Sequence, residues 1–123
     1  MATATSCRFP RSMRLKRRRE FDQARQAGRR LARGCLIANW LECPAAVGMR
    51  LGVIVGSKVG KAVVRSRTRR LLREVFRLHQ SDFKHPVTLI LVARHSIAGK
   101  TLAQVEHDFL AAMRVTGLLK AES

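Results

Sequence analysis

The chain is short of acid. Its 123 residues include only 8 Asp plus Glu, set against 25 Lys plus Arg, for a formal charge of +17. The eight carboxylates are scattered and form no cluster suited to binding Mg²⁺. No apolar run approaches the roughly 20 residues that span a bilayer, and the first residues, MATATSCRFPRSMRLKRRR, lack the apolar core of a secretory signal. Cysteine is sparse and odd in number: Cys7, Cys35 and Cys43 show no CxxC spacing, which argues against a disulfide framework and a zinc ribbon. A reducing, cytoplasmic setting fits that usage best. Histidines 79, 85, 95 and 107 have no HExxH spacing and no cysteine at ligand distance, so no metal site and no general acid–base pair is legible. SIAGKT lacks the first glycine of a phosphate-binding loop, because Arg94 stands there. GSKVGKA is one residue short and ends in alanine. Nucleotide hydrolysis and protein-based nuclease chemistry are both disfavoured, and no catalytic residue is assigned.

What is present is positive charge, unevenly placed. Residues 1–34 and 57–79 hold 19 of the 25 basic residues and 3 acids, Glu20, Asp22 and Glu74, which accounts for +16 of the +17. No fold needs such an excess, and self-repulsion opposes compaction. Two basic blocks on a nearly neutral frame describe a contact surface for a polyanion. Hydrophobic residues at 46% suffice for one core, and the length suits one domain.

Residues 1–13 read as a basic, disordered tail, 14–119 as a single RNA-binding domain, and 120–123 as a C-terminal tail. Composition favours a helix from Lys16 to Leu31, ending near Gly28 or soon after, with a narrow stripe of Phe21, Ala24 and Gly28 that can dock on a core but not build one. Residues 34–43 read as a strand, with Leu36, Ala38 and Trp40 on one face. Leu51–Gly56 reads as a second, expected to pair antiparallel with the first. Residues 61–79 give a helix whose Val64, Thr68, Leu71, Val75 and Leu78 share a side, with Leu72 at its margin and Arg67 near the other edge. Residues 87–94 read as a central strand, Thr101 as the N-cap of a final helix from Leu102, and Gly117 as its stop. The order is helix, strand, strand, helix, strand, helix, with room for one more strand between 43 and 57. This is an α/β (α+β) two-layer sandwich with a small mixed sheet and about three helices.

The segment 57–77 is the functional candidate. A plainly solvated cationic face is the alternative, but arginines at i and i+4 repel by a few tenths of a kcal/mol per pair, and Arg65–Arg69, Arg69–Arg73 and Arg73–Arg77 all do so. Arginine binds phosphate oxygens bidentately and stacks on bases. Lys58 and Lys61 bring further cations to a helix N-terminus that already favours anions.

The run KVGKAVVRSRTRRLLREVF resembles the signature of the bacterial ribonuclease P protein component, with Lys58, Gly60, Ala62, Val63, Arg65, Arg67, Arg70 and Arg73 matching. RLKRRREF at 14–21 is similar to the family's N-terminal element, and LGVIVG and VTLILVAR match its strands. The resemblance covers about residues 14–115. Ser66 stands where the family has Asn, and Arg25 and Ala38 stand where it often has aromatics.

The resemblance implies the protein subunit of an endoribonuclease whose chemistry belongs to an RNA subunit, bound 1:1, with Mg²⁺ held mainly by that RNA. The substrate would be precursor tRNA, cut to leave the mature 5′ end. RNA contacts would fall on Lys58, Lys61, Arg65, Ser66, Arg67, Arg69, Arg70, Arg73 and Arg77, with Arg14, Lys16 and Arg17. A leader cleft would involve Phe21, Arg25, Ala38 and Trp40. The basic helix would lie in a left-handed β-α-β crossover, against the right-handed rule. No membrane or DNA partner is implied. A ribosomal protein or general RNA chaperone predicts the same composition. A DNA-reading basic helix is disfavoured, because His79, Gln80, Ser81 and Pro86 interrupt where a zipper needs heptads.

Overall fold

The computed structural model describes residues 28–42 and 49–120, together with Arg19 and Gln26, both helical. The expected tail at 1–13, Arg14, Lys16, Arg17, Phe21, Arg25 and Cys43 lie outside the described residues, as does most of the first expected helix.

Four strands form one mixed sheet in the order β1-β2-β4-β3: β1 Arg29–Arg33, β2 Leu36–Glu42, β3 Arg50–Ile54 and β4 Val87–Ala93. Helix α1, Ala62–His79, joins β3 to β4, and α2, Leu102–Thr116, follows β4. β4 is central, as its unbroken apolar run predicts. It pairs antiparallel with β2 and parallel with β3. The expected antiparallel pairing of residues 34–43 with 51–56 is therefore wrong: β4 lies between them. Strands close in sequence read as a hairpin, but the 18-residue helix after β3 carries the chain across to β4 in a parallel β-α-β unit.

The further strand among the described residues comes before β2, and residues 43–48 of the stretch where it was expected lie outside them. Arg29–Arg33, read as the end of a helix, pairs with β2 in register Leu31↔Ala38. Gly34 turns the hairpin with φ 55, a left-handed conformation that glycine adopts without penalty. Pairing with β2 overrides the weak helical preference of RRLAR. Two helices are described along their length, besides the helical Arg19 and Gln26 within the first expected helix, against about three expected.

One face of the sheet carries the core. Leu36, Ala38, Trp40, Leu51, Leu89, Leu91 and Ala93 join Leu72, Val75 and Phe76 of α1 and Val105, Phe109, Ala112 and Met113 of α2. Leu72 is fully buried while Leu78 is 38% exposed, so the apolar stripe of α1 is rotated from the one expected. Its centre runs through Thr68, Leu72, Val75 and Phe76. The buried Thr68 hydroxyl donates to the Val64 carbonyl at 2.8 Å, which lets a polar side chain sit on that stripe. Phe83 packs against Phe76 at 5.9 Å and Phe109 at 6.5 Å between ring centroids, tying α1, the 80–86 segment and α2 together.

The helix ends are built differently. Thr101 accepts from the Gln104 N–H at 3.2 Å while the Gln104 side chain accepts from the Thr101 N–H at 2.9 Å, a complete capping box. Gly117 closes α2 at φ 72. Beyond it, the Lys120 N–H donates to the Asp82 carbonyl at 2.6 Å, so the backbone of Lys120 is bonded to the domain where a free tail was expected.

The β1–β2 turn is locked from beneath. Asp108 of α2 accepts from the Cys35 N–H at 3.0 Å. Burial alone would raise its pKa, but the bonds from Cys35 outweigh this and hold the carboxyl below its ordinary value. Burial, then the Asp108 bond and charge, push the Cys35 thiol up to about 12, so it stays protonated and unreactive. A Cβ at Gly34 would fall on the Asp108 carboxylate. Gly34→Ala should cost about 2 kcal/mol or more, adding left-handed backbone strain to displacement of that bond, read as a fall in denaturant midpoint. Asp108→Ala should cost about 1–3 kcal/mol by leaving the Cys35 N–H without its acceptor. Because the folded-state pKa of Asp108 is depressed, its contribution is present above the unfolded-state value and disappears as pH falls through the folded one. The gap in melting temperature between the parent chain and Asp108→Ala should therefore be wide at neutral pH and close in acid. A gap independent of pH would contradict this.

Candidate nucleic-acid interface

The N-terminus of α1 has no anion of its own. Lys61 occupies the N-cap without a side-chain hydrogen bond, and no acid stands in the first turn. The N–H groups that begin a helix lack intrahelical partners and carry partial positive charge. Before it, Ser57–Val59 makes a 3₁₀ turn that exposes Lys58 and buries Val59. Gly60 follows at φ 152, and a Cβ there would press on Val64 at 3.1 Å. The glycine therefore lets the turn pack tightly onto the first helical turn and sets Lys58 and Lys61 beside the open N–H groups.

Along α1 the arginines occupy the side opposite Leu72 and Val75. Arg70 is exposed, as is Ser66 among the cations. Arg69, Arg73 and Arg77 are half-buried by neighbouring side chains. Arg65 is half-buried at the margin of the apolar stripe, and its Nε is buried without a hydrogen-bond partner. Arg67 lies on the other flank and donates from Nη2 to the Lys100 carbonyl at 3.0 Å, so part of its hydrogen-bonding capacity ties α1 to the loop before α2.

Glu74 takes a bidentate bond from Arg77, Nε at 2.9 Å and Nη2 at 2.6 Å, and that bond holds its carboxyl below the ordinary range. Asp82 and Glu106 both face His79, at 3.1 and 2.6 Å, and Asp108 serves Cys35. Among the described residues no three His, Cys, Asp or Glu come together to hold a metal ion. None of their helices is long and apolar enough to cross a membrane.

The expected leader-cleft residues fare differently. Ala38 is fully buried and Trp40 is 8% exposed, both in the core beneath α1 and α2. Neither offers a ring or a surface to a nucleic-acid base, so their assignment to a cleft is corrected. The strand face was read correctly, but it is the face the helices cover. The other face of the sheet carries Ile37, Asn39 and Leu41 of β2, Ile54 of β3 and Val92 of β4, grouped around the buried Ile90. Arg50 and Arg30 stand on this same face, opposite Thr88 and Asn39 in the strand register. Period-2 alternation places these residues once the core face is known. The reading from sequence did not single them out because it weighed the face that carries Trp40.

Residues 9–117 match the profile of the family described as Ribonuclease P. The chain belongs to that family. A Ribonuclease P protein component from Geobacillus sp. is 32% identical over 109 residues, covering 89% of this chain and 94% of the relative. One from Desulfovibrio desulfuricans is 37% identical over 110 residues, covering 86% and 84%. The fold is similar to the RNase P protein of Staphylococcus aureus, with a TM-score of 0.79 at 23% identity over 88% of this chain and 98% of that one. It is also similar to that of Thermotoga maritima, at 0.71 and 23% over 82% and 96%. The parallel β3-α1-β4 unit, with the arginine helix as its crossover, is the part of the ribonuclease P fold that the 58–76 motif anticipates.

Proposed function

We propose that this chain is the protein subunit of ribonuclease P and that α1 is its contact with the catalytic RNA. The observation that carries the reading is the cationic ridge of α1, partly exposed along its length, which begins at an N-terminus with no acid in the first turn and no side-chain hydrogen bond from the N-cap. Phosphates would take the first-turn N–H groups, with Lys58 and Lys61 alongside, and then Ser66, Arg69, Arg70 and Arg73 on the following turns. Arg65 stands at the edge of the ridge with its Nε buried, so only its terminal amino groups could reach a phosphate, and Arg77 would share a phosphate with Glu74 only by loosening their pair. Arg14, Lys16 and Arg17 add charge from outside the described residues.

The RNA performs the cleavage. The Mg²⁺ that supports hydrolysis would be held mainly by RNA phosphates, and the protein would act by neutralising charge between two RNAs. That lowers the Mg²⁺ needed to bring ribozyme and precursor tRNA together. The 5′ leader lies on the sheet side away from α1 and α2, with bases toward the half-buried Ile37 and Leu41, which flank the buried Asn39, and phosphates toward cations at its rim. Phe21 and Arg25 join this cleft from the N-terminal segment. The complex is one protein to one RNA, in the cytoplasm.

The test is the affinity of the ribozyme–protein complex for precursor tRNA with and without its leader. The expected result is tighter binding with the leader. Equal affinities would point instead to a general RNA chaperone.

A further inference from the structure

Strand β1 has a composition that the α1 interface does not use. Three of its five residues are arginine, Arg29, Arg30 and Arg33, all exposed, and it contains no acid. It lies at the sheet edge remote from β3, three strand spacings or roughly 14 Å away, too far to share phosphates with residues at the β3 side. Guarding an edge strand against pairing takes a single charge. Three arginines in five residues exceed that need and repel one another. The nearest described carboxylate, Asp108, lies beneath the turn and is engaged by the Cys35 N–H.

The strand register gives these arginines a direction. Arg30 is opposite Asn39 and Ala32 opposite Ile37, so both lie on the face turned away from α1 and α2. Arg29 and Arg33 flank Leu31 on the other side of the same edge. The centre of that face is closed, with Ile90 and Asn39 buried, so a single RNA strand leaving it at the β2 side past the half-buried Ile37 and Leu41 would meet Arg30 next, then the edge with Arg29 and Arg33. The core position of Trp40 removes the one stacking ring that β2 could have supplied. Arginine supplies both bidentate phosphate contact and a planar stacking surface.

We propose that β1 is an arginine edge that holds the leader of precursor tRNA upstream of the segment on the sheet face, so that leader recognition in this chain extends with leader length and is mainly electrostatic. This rests on the leader reading above. The probes are precursor tRNAs with leaders of about 4 and about 12 nucleotides, within the range that one small β platform covers, bound to the ribozyme reconstituted with the full chain. The parent chain should favour the longer leader. Arg29→Gln, Arg30→Gln and Arg33→Gln together should abolish most of that preference. The log–log salt slope for the longer leader should fall by about 2, three contacts at about 0.7 each for a single strand. The three corresponding lysine replacements should restore much of the slope, which a fold defect would not. An unchanged long-to-short ratio in the glutamine variant overturns the proposal. So does an equal loss for both leaders with weaker binding to the RNA subunit alone, which would assign β1 to that subunit. Absence of any leader effect in the parent chain would instead overturn the reading beneath it.

Discussion

Alanine at Lys61, Arg69 and Arg70 together is expected to weaken binding to the ribonuclease P RNA by on the order of 10³-fold or more, with the melting temperature nearly unchanged. Each side chain would lose one charge-assisted contact worth about 1.5 kcal/mol or more. The salt slope should flatten by about 2 to 3, because three fewer counterions are released from duplex RNA. These three positions are chosen because removing them leaves the core intact. Arg65 is a poorer probe, since its Nε is buried at the stripe margin, and Arg67 anchors the Lys100 carbonyl. Losses confined to melting temperature, with the slope retained, would move the RNA contact off α1.

Phe109→Ala should be the most damaging of the core substitutions. Phe109 is fully buried. It packs edge-on to Phe83 and stacks on His79 at 6.0 Å, and so sits where α2 meets the C-terminal turn of α1. Truncation of such a ring costs about 3–5 kcal/mol, a large share of the 5–15 kcal/mol typical of a whole domain. The denaturant midpoint should fall while the m-value holds. Because His79 also bonds Asp82 and Glu106, the end of α1 should lose order in the same variant. A loss below about 1 kcal/mol would mean that the helix pair is held chiefly elsewhere.

Much of this molecule is legible in its sequence, for local reasons. The 18-residue α1 declares itself by periodicity, and α2 by Thr101 at one end and Gly117 at the other. β4 declares itself by a run too apolar for any place but the middle of a sheet. The places where the reading went astray depend on partners distant in the chain. RRLAR has no strong preference and becomes a strand only because β2 is beside it, with Gly34 and Asp108 fixing the turn. β3 looks like the hairpin partner of β2 until the crossover of α1 is counted. For α1, the error between Leu72 and Leu78 is one of rotation: the boundary residues Val64 and Leu71 suit either stripe, and the contacts with α2 decide.

The interface divides along the same line. The cations of 58–77 form a surface because they share one helix, so spacing alone brings them together. On a sheet, by contrast, which face is open rests on which side the helices cover, and Trp40 is on the covered side. Trp40 is in the core because its ring fills the space beneath the helices, and the residues beside it on β2 face outward.

The most direct test of the central claim is reconstitution at limiting Mg²⁺, in which ribonuclease P RNA alone does not process precursor tRNA. Addition of this chain should restore cleavage at the mature 5′ end, and the Lys61, Arg69 and Arg70 triple alanine variant should fail to do so at the same concentration. Equal rescue by the parent and the variant, or rescue by neither, would contradict the account.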